Sequence, residues 1–579
     1  MACNFPMVSL PCVRKVIPAG HEPLTLNTNL NFRSTSFTKK PNSHVVQEKT
    51  PTPGKFGSFG GKFVPEILIA PLEKLEAEFN SILEDHEFKA ELAAALRDYV
   101  GRETPLYHAH NLTDHYKNIN GEGPEIYLKR EDLGHGGSYK MSNVIAQALL
   151  AKRMGQKSVI TATSAGNHGV AAAAVCAKYS LDCTIFIGTR DIQRNPSSVQ
   201  RMKLLGAQVK AVDGNFQAAV SESTRSWIEN LETVYYIAGT AVGPHPIPTM
   251  VREFYSVIGK ETRKQAMEKW GGVPDVLLAC VGTGCNALGL FHEFIGDESV
   301  RMIGIEGGGV GSNTRDLHSA SLVRGEVGVY HGAMCYLLQD GDGQIIRTES
   351  VASGLEFPGV SPELSFLKDS GRLECYTVTD QEALDGYKRL CHLEGIIPAL
   401  ETSHAFAYLE KLCPTLTHGA KVVVNCSGTG YNDVCSPQNK ILSLSKNSLD
   451  AEGNGMGKRM DIGRPICCRG YKRLCHLEGI IHALETSHAF AYLEKLCPTL
   501  THGAKVVVNC SGTGYNDLTR WYRRMVAAYF HIYTDAYKVQ HITRINIQSL
   551  CKKIKVILHV KQYVTAIPRK GMGWEKGWI

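Results

Sequence analysis

Between about residue 55 and residue 435, short runs rich in β-branched and apolar residues alternate with longer stretches of helical character. The runs Ser158–Thr161, Thr184–Ile187, Val276–Cys280, Met302–Ile305 and Val422–Asn425 have strand length, and each leads into a Gly- or Ser-rich turn. Strands alternating with helices predict an α/β fold with a mostly parallel sheet and helices on both faces. In such folds ligands bind where loops leave the C-terminal ends of the strands, and the glycine-rich turns sit there.

The pattern then repeats itself. Residues 386–433 recur at 470–517 with one difference, Pro398 against His482. Solenoid units drift and recur many times; this is one near-verbatim copy. The intervening 436–469 is an irregular polar spacer, and 518–579 forms a basic tail without a convincing amphipathic period. Both copies offer the same strand, KVVVN, and so compete for one place in a sheet. The first follows Thr377–Asp385 without a break and is expected to complete the catalytic core at 51–435. The loser is expected to expose apolar surface.

Charge changes this picture little. The chain has 579 residues and a net charge of +7, of which 518–579 supplies +10 (twelve Lys/Arg less two Asp/Glu), leaving about −3 elsewhere. The basicity therefore belongs to the tail, and neither nucleic acid nor a membrane is expected as a partner. No apolar run reaches the roughly 18–20 residues of a membrane helix. Eighteen cysteines lack metal-ligand spacing, so they read as reduced packing groups and no metal site is expected. The first 50 residues carry six Lys/Arg against Glu22 and Glu48, with many Ser, Thr and Asn. That composition suits a plastid transit peptide and a chloroplast stroma location, rather than a merely irregular terminus.

Four turns carry the candidate chemistry. In Leu128–Asn143, LKREDLGHGGSYKMSN, Lys140 stands after two glycines and before a helical run. A lone lysine is usually a solvated surface group, but one at a strand-to-helix junction can form a Schiff base beside a phosphate. In Thr163–Ala171, TSAGNHGVA, small residues leave backbone N–H groups free at a helix start, which suits a carboxylate, although a tight turn alone would also need glycines. Cys280–Gly289, CVGTGCNALG, has the glycine spacing of a phosphate cradle, a weak signal in isolation. Asn425–Gly430, NCSGTG, places Ser427 after a strand, where its hydroxyl can face a heteroaromatic nitrogen.

Taken with QALLAKRMG, Gly239–Phe254 (GTAVGPHPIPTMVREF), Ser353–Glu363 (SGLEFPGVSPE) and Glu394–Ala405 (EGIIPALETSHA), these turns resemble the tryptophan synthase β-subunits, pyridoxal-phosphate enzymes of fold type II, over about 50–435. The resemblance implies two mostly parallel, open twisted sheets flanked by helices, with the pyridoxal 5'-phosphate site between two subdomains. It implies that Lys140 is the Schiff-base lysine. Gly282, Gly284, Cys285 and Asn286 match the phosphate loop, Ser427 the serine facing the pyridine nitrogen, and Glu401 a glutamate beside the ring. Thr163, Ala165, Gly166, Asn167 and His168 match the substrate-carboxylate loop, and Arg194 and Glu356 the pair that closes the active site. A monovalent cation is implied at the carbonyls of Gly282, Phe357 and Gly359. The implied activity belongs to tryptophan biosynthesis: L-serine loses its hydroxyl to give a cofactor-bound aminoacrylate, which indole attacks. A homodimer and an α-subunit partner are implied too.

The chain departs from the family at chosen places. Ala162 stands at the catalytic glutamate position and Tyr139 replaces the histidine before the lysine. The phosphate loop reads GTGCN for GGGSN, and the last turn SGTGYND for SGRGDKD. The stretch 213–220 is shorter than the family's and lacks the lysine that meets the α-subunit, so that association is expected to be weakened. TSAGNHG also resembles the carboxylate loop of serine/threonine dehydratases. Two alternatives follow: a divergent serine β-elimination or β-replacement lyase, and a non-catalytic partner of an active β-subunit.

Overall fold

The computed structural model describes residues 53–311, 317–431, 474–483, 486–500 and 505–513. The expected transit segment, the spacer and the basic tail lie outside these residues, and all described residues fall in one compact unit, Met1–Tyr515.

The strands in chain order are β1 (Lys55–Phe56), β2 (Phe59–Gly60), β3 (Leu106–His108), β4 (Glu125–Lys129), β5 (Ser158–Thr163), β6 (Asp182–Gly188) and β7 (Gln208–Val212). They continue with β8 (Val234–Tyr236), β9 (Val276–Cys280), β10 (Arg301–Gly307), β11 (Glu326–Tyr330), β12 (Ala333–Leu337), β13 (Leu373–Val378) and β14 (Lys421–Asn425). All five runs read as strands are strands, lengthened by one to three residues where they grow. The larger sheet has the order β13-β10-β9-β14-β4-β3, parallel except at β3. A second, wholly parallel sheet has the order β7-β6-β5-β8. Unanticipated in the sequence is a small antiparallel sheet, β1-β2-β12-β11, whose hairpin β11–β12 walls the cavity described below.

Burial explains these runs. β9 is buried at every position and Val422 to Asn425 of β14 likewise, as strands covered on both faces must be. Ile126, Leu128, Val276, Leu278, Ile303, Ile305, Val422 and Val424 form one apolar cluster with Ala405, Phe406 and Leu409 of the Leu400–Leu412 helix. The helix Asp380–Glu394 opens on a reciprocal cap between Thr379 and Glu382 and stops at Gly395, whose φ of 65° disfavours a side chain.

Part of the KRED segment is structural. Lys129, Glu131, Arg102 and Glu261 are all buried and joined: Arg102 donates to Glu131 Oε1 at 2.6 Å and to Glu261 Oε1 at 2.6 Å, and Lys129 Nζ to Glu261 Oε2 at 2.8 Å. Two cations and two carboxylates balance, which is what makes such burial tolerable.

The two copies differ in fate. The first supplies β14 between β9 and β4. In the second, 505–510 form no strand, and Val506 and Val507 are exposed. The second copy nonetheless keeps internal contacts of the first. Its His482 bridges Thr513 as Pro398 bridges Thr429.

Candidate active site

Four strand ends point their turns into one cavity of about 1950 Å³. Lys140 opens the helix Lys140–Arg153, directly after a turn in which Gly136 and Gly137 take positive φ. Its Nζ donates to the carbonyl of Gly239 at 3.1 Å and lies 4.7 Å from the centre of the Tyr139 ring. Burial holds the Lys140 ammonium below its ordinary value, while Cys285, Glu401 and Cys280 act in the opposite sense. An amine of lowered basicity is more often the free base a nucleophile needs. Tyr139, in the histidine position, packs 5.0 Å from the ring of Tyr255, and burial pushes its phenol well above the ordinary value.

Gly282, Thr283, Gly284, Cys285 and Asn286 line the same cavity. Gly284, at φ 93°, caps the helix Cys285–Phe291, so the free N–H groups of its first turn face the turn. Asn286 has a positioning part: its amide donates to Cys280 O at 2.9 Å, and Asn425 donates to Asn286 O at 3.2 Å, locking two turns together. Cys285 Sγ accepts from Ala241 N at 3.1 Å.

Ser427 Oγ lies 2.8 Å from Thr402 Oγ1 and 3.8 Å from Cys280 Sγ, on the cavity wall. Glu401 accepts the Gly354 N–H at 2.9 Å, and burial pushes its carboxyl up.

The Thr163–His168 loop leaves β5 beside Lys140. Gly166, at φ 94°, starts the helix Asn167–Lys178, and a Cβ there would run into Ser198. Thr163 Oγ1 caps Gly169 N at 3.2 Å, and the Ala165 carbonyl accepts from Ser198 Oγ at 3.4 Å. Asn167 lines the cavity. His168 turns out to be a packing group as well as a lining one. Its Nε2 meets Thr161 Oγ1 at 2.8 Å, and burial drives its pKa down to about 3, so it is neutral. Ala162 lines the cavity next to this loop, with no carboxylate at its position.

Arg194 donates to Glu356 Oε2 at 2.7 Å and to the Ser350 carbonyl at 3.1 Å. Asp191, one turn earlier, is a further member that the sequence did not single out. It is buried, its Oδ2 has no hydrogen-bond partner, and burial with the Glu356 charge pushes its pKa up to about 6 against the opposing Arg194. At the suggested cation position, Gly282 sits close to Phe357, while the Phe357 carbonyl already accepts from Ser321 Oγ at 3.2 Å. Among the described residues no cluster of His, Cys, Asp and Glu is arranged to hold a metal ion.

Also missed were Gly239, Cys280 and Thr402. All three stand in quoted motifs, but their roles arise from a carbonyl, a thiol and a hydroxyl that residues distant in the chain meet only in the fold.

The donor set fits pyridoxal phosphate. It offers a screened amine without a carboxylate partner, a glycine turn at a helix start for a phosphate, and a buried hydroxyl across the cavity.

A family model described as pyridoxal-phosphate dependent enzyme matches residues 98–428. Among solved structures, a fungal L-serine ammonia-lyase from Rhizomucor miehei is similar, with 20% identity, 56% of this chain and 93% of that chain covered, and a TM-score of 0.44.

Proposed function

The chain belongs to the pyridoxal-phosphate dependent enzymes, and on that premise we propose that it acts at the β-carbon of L-serine, condensing it with indole in the manner of a tryptophan synthase β-subunit. The observation that carries this reading is the cavity. Beyond the Lys140 turn and the carboxylate loop it runs past Phe216, Trp227, Ile228, Tyr236 and Ile345, an apolar wall with room for a second, aromatic substrate. Deamination of serine to pyruvate and ammonia needs no such extension.

Lys140, the 282–286 turn and Ser427 would hold pyridoxal phosphate, which when bound would supply an electron sink for the charge left at the substrate α-carbon. The residues of the chain do the rest. The 163–168 turn receives the substrate carboxylate on the N–H groups of the helix start. Lys140 Nζ takes the α-proton. Ser427 would offer a hydroxyl, not a carboxylate, to the cofactor's ring nitrogen. Arg194 and Glu356 join the stretch after β6 to the Ser350–Phe357 loop over the cavity and exclude water.

A second reading, serine deamination, is favoured by Ala162. No acid at that position assists departure of the β-hydroxyl or orients the indole N–H, and general acid–base assistance is worth roughly 10²- to 10⁴-fold. Purified full-length protein with cofactor, L-serine and indole decides the matter. Tryptophan formation supports the first reading; pyruvate without tryptophan supports the second; neither product overturns both.

A further inference from the structure

We propose that the surface formed by Tyr99, His135, Ala174 and Lys178 is a docking site for the Leu-Glu-Gly corner of the duplicated segment, and that the second copy occupies it as a brace on the Lys140 turn. The corner is Leu477-Glu478-Gly479, at the end of the helical stretch 474–478. The Gly479 carbonyl receives Tyr99 Oη at 3.3 Å and His135 Nε2 at 3.2 Å. Glu478 pairs with Lys178 Nζ at 3.2 Å, and Lys178 lies 4.9 Å over the Tyr99 ring. The Tyr99 and His135 rings are 4.4 Å apart, and His135 Nδ1 faces the Tyr99 carbonyl at 3.2 Å. A neutral His135 donates to one of its two carbonyls at a time, and the single Tyr99 hydroxyl proton is shared between Gly479 O and Ala174 O, each at 3.3 Å.

The fit is specific to glycine. Gly479 has φ 65°, and a Cβ there would run into the Ala174 carbonyl oxygen. The first copy carries the identical corner, Leu393-Glu394-Gly395, with the same φ of 65° and nothing within 4 Å of a Cβ. There Glu394 is engaged elsewhere, by Tyr107 Oη at 2.7 Å and Leu112 N at 2.8 Å. One sequence thus meets two partners, chosen by place in the chain. His135 precedes Lys140 by five residues, and Ala174 and Lys178 lie on the helix that begins at the carboxylate turn. The docked corner therefore ties the lysine turn to the far end of that helix.

The matched pair Gly479→Ala and Gly395→Ala in the full chain tests this. Both carry the same backbone penalty at positive φ, but only the first clashes with the docking surface. By hydrogen exchange with mass spectrometry, Gly479→Ala should raise exchange in 131–139 and 170–178 by about two- to tenfold, as the loss of about one net hydrogen bond implies. Gly395→Ala should leave these segments unchanged. Glu478→Lys should also loosen them, and Glu478→Lys with Lys178→Glu should restore protection. Unchanged exchange in Gly479→Ala, an equal rise in both alanine variants, or no restoration by the charge swap would overturn the proposal.

Discussion

Thr402 Oγ1 and Ser427 Oγ stand 2.8 Å apart, and Thr402 also accepts the Ser427 N–H at 3.2 Å. The duplicate reproduces the relationship in Thr486 and Ser511, 2.9 Å apart. Of these four residues only Ser427 lines the cavity, with Thr402 bonded to it. Ser427→Ala should weaken cofactor binding about fivefold and shift its absorbance, since a net hydrogen bond is worth about 1 kcal/mol. Ser511→Ala should leave both unchanged. Cofactor titration of the two variants checks this, and a shift in Ser511→Ala alone would assign the site to the second copy.

Lys140→Ala should lose the absorbance of covalently held cofactor, and borohydride reduction of the unaltered chain should label Lys140. A different labelled lysine would refute the assignment. No other described lysine lines the cavity near the turns except Lys62, which already pairs with Glu76 at 2.8 Å.

Ala162→Glu should raise tryptophan formation from serine and indole, by up to roughly 10²-fold. The position is the last but one of the buried strand β5, in register with Phe186, and lines the cavity. A carboxyl placed there, partly desolvated, would be more basic than usual and suited to proton transfer. No gain in a variant that still releases pyruvate would discard this account.

Asp191 gives a pH-dependent stability. Its folded-state pKa of about 6 lies above the ordinary 3.8, so the folded protein holds the proton more tightly than the unfolded chain. The stability this contributes is present below pH 4 and is lost as pH rises through 6. Asp191→Asn should therefore come close to the parent near pH 4 and exceed it above pH 6.5 by about 3 kcal/mol. Urea midpoints at the two pH values measure it; equal differences at both would contradict it.

Arg102→Ala should cost about 3–5 kcal/mol, because Glu131 and Glu261 would remain buried with one cation, Lys129, between them. Arg102→Ala combined with Glu131→Gln should lose less. Chemical denaturation of both variants checks the order.

What could be read in advance followed from local constraint. Lys140, Gly284 and Gly166 announce themselves because a chain leaving a buried strand for a helix needs glycine at the bend, and chemistry gathers where N–H groups are left free. Asp191 and Thr402 gave no local sign. Each acquires its role from a residue more than twenty positions away, Glu356 or Ser427. Likewise the buried partners of Lys129 come from residues 104 and 261, and a KRED string cannot say that its lysine is structural. In the hairpin β11–β12, β11 is buried only at Tyr330 and β12 alternates buried and half-buried residues over only five positions, too weak a pattern to stand out.

The place of β14 has a consequence in time. It lies between β9 and β4, so the larger sheet has a gap at its centre until residue 425 has been synthesised. The rival KVVVN begins at 505, 84 residues after 421. At about 5–20 residues per second, the ribosome gives the first copy a lead of roughly 4–17 seconds. Strand docking is far quicker than that. The order of translation, rather than any difference in their identical strands, hands the central slot to the first copy, and a circularly permuted gene that delivered 470–517 first would reverse the outcome.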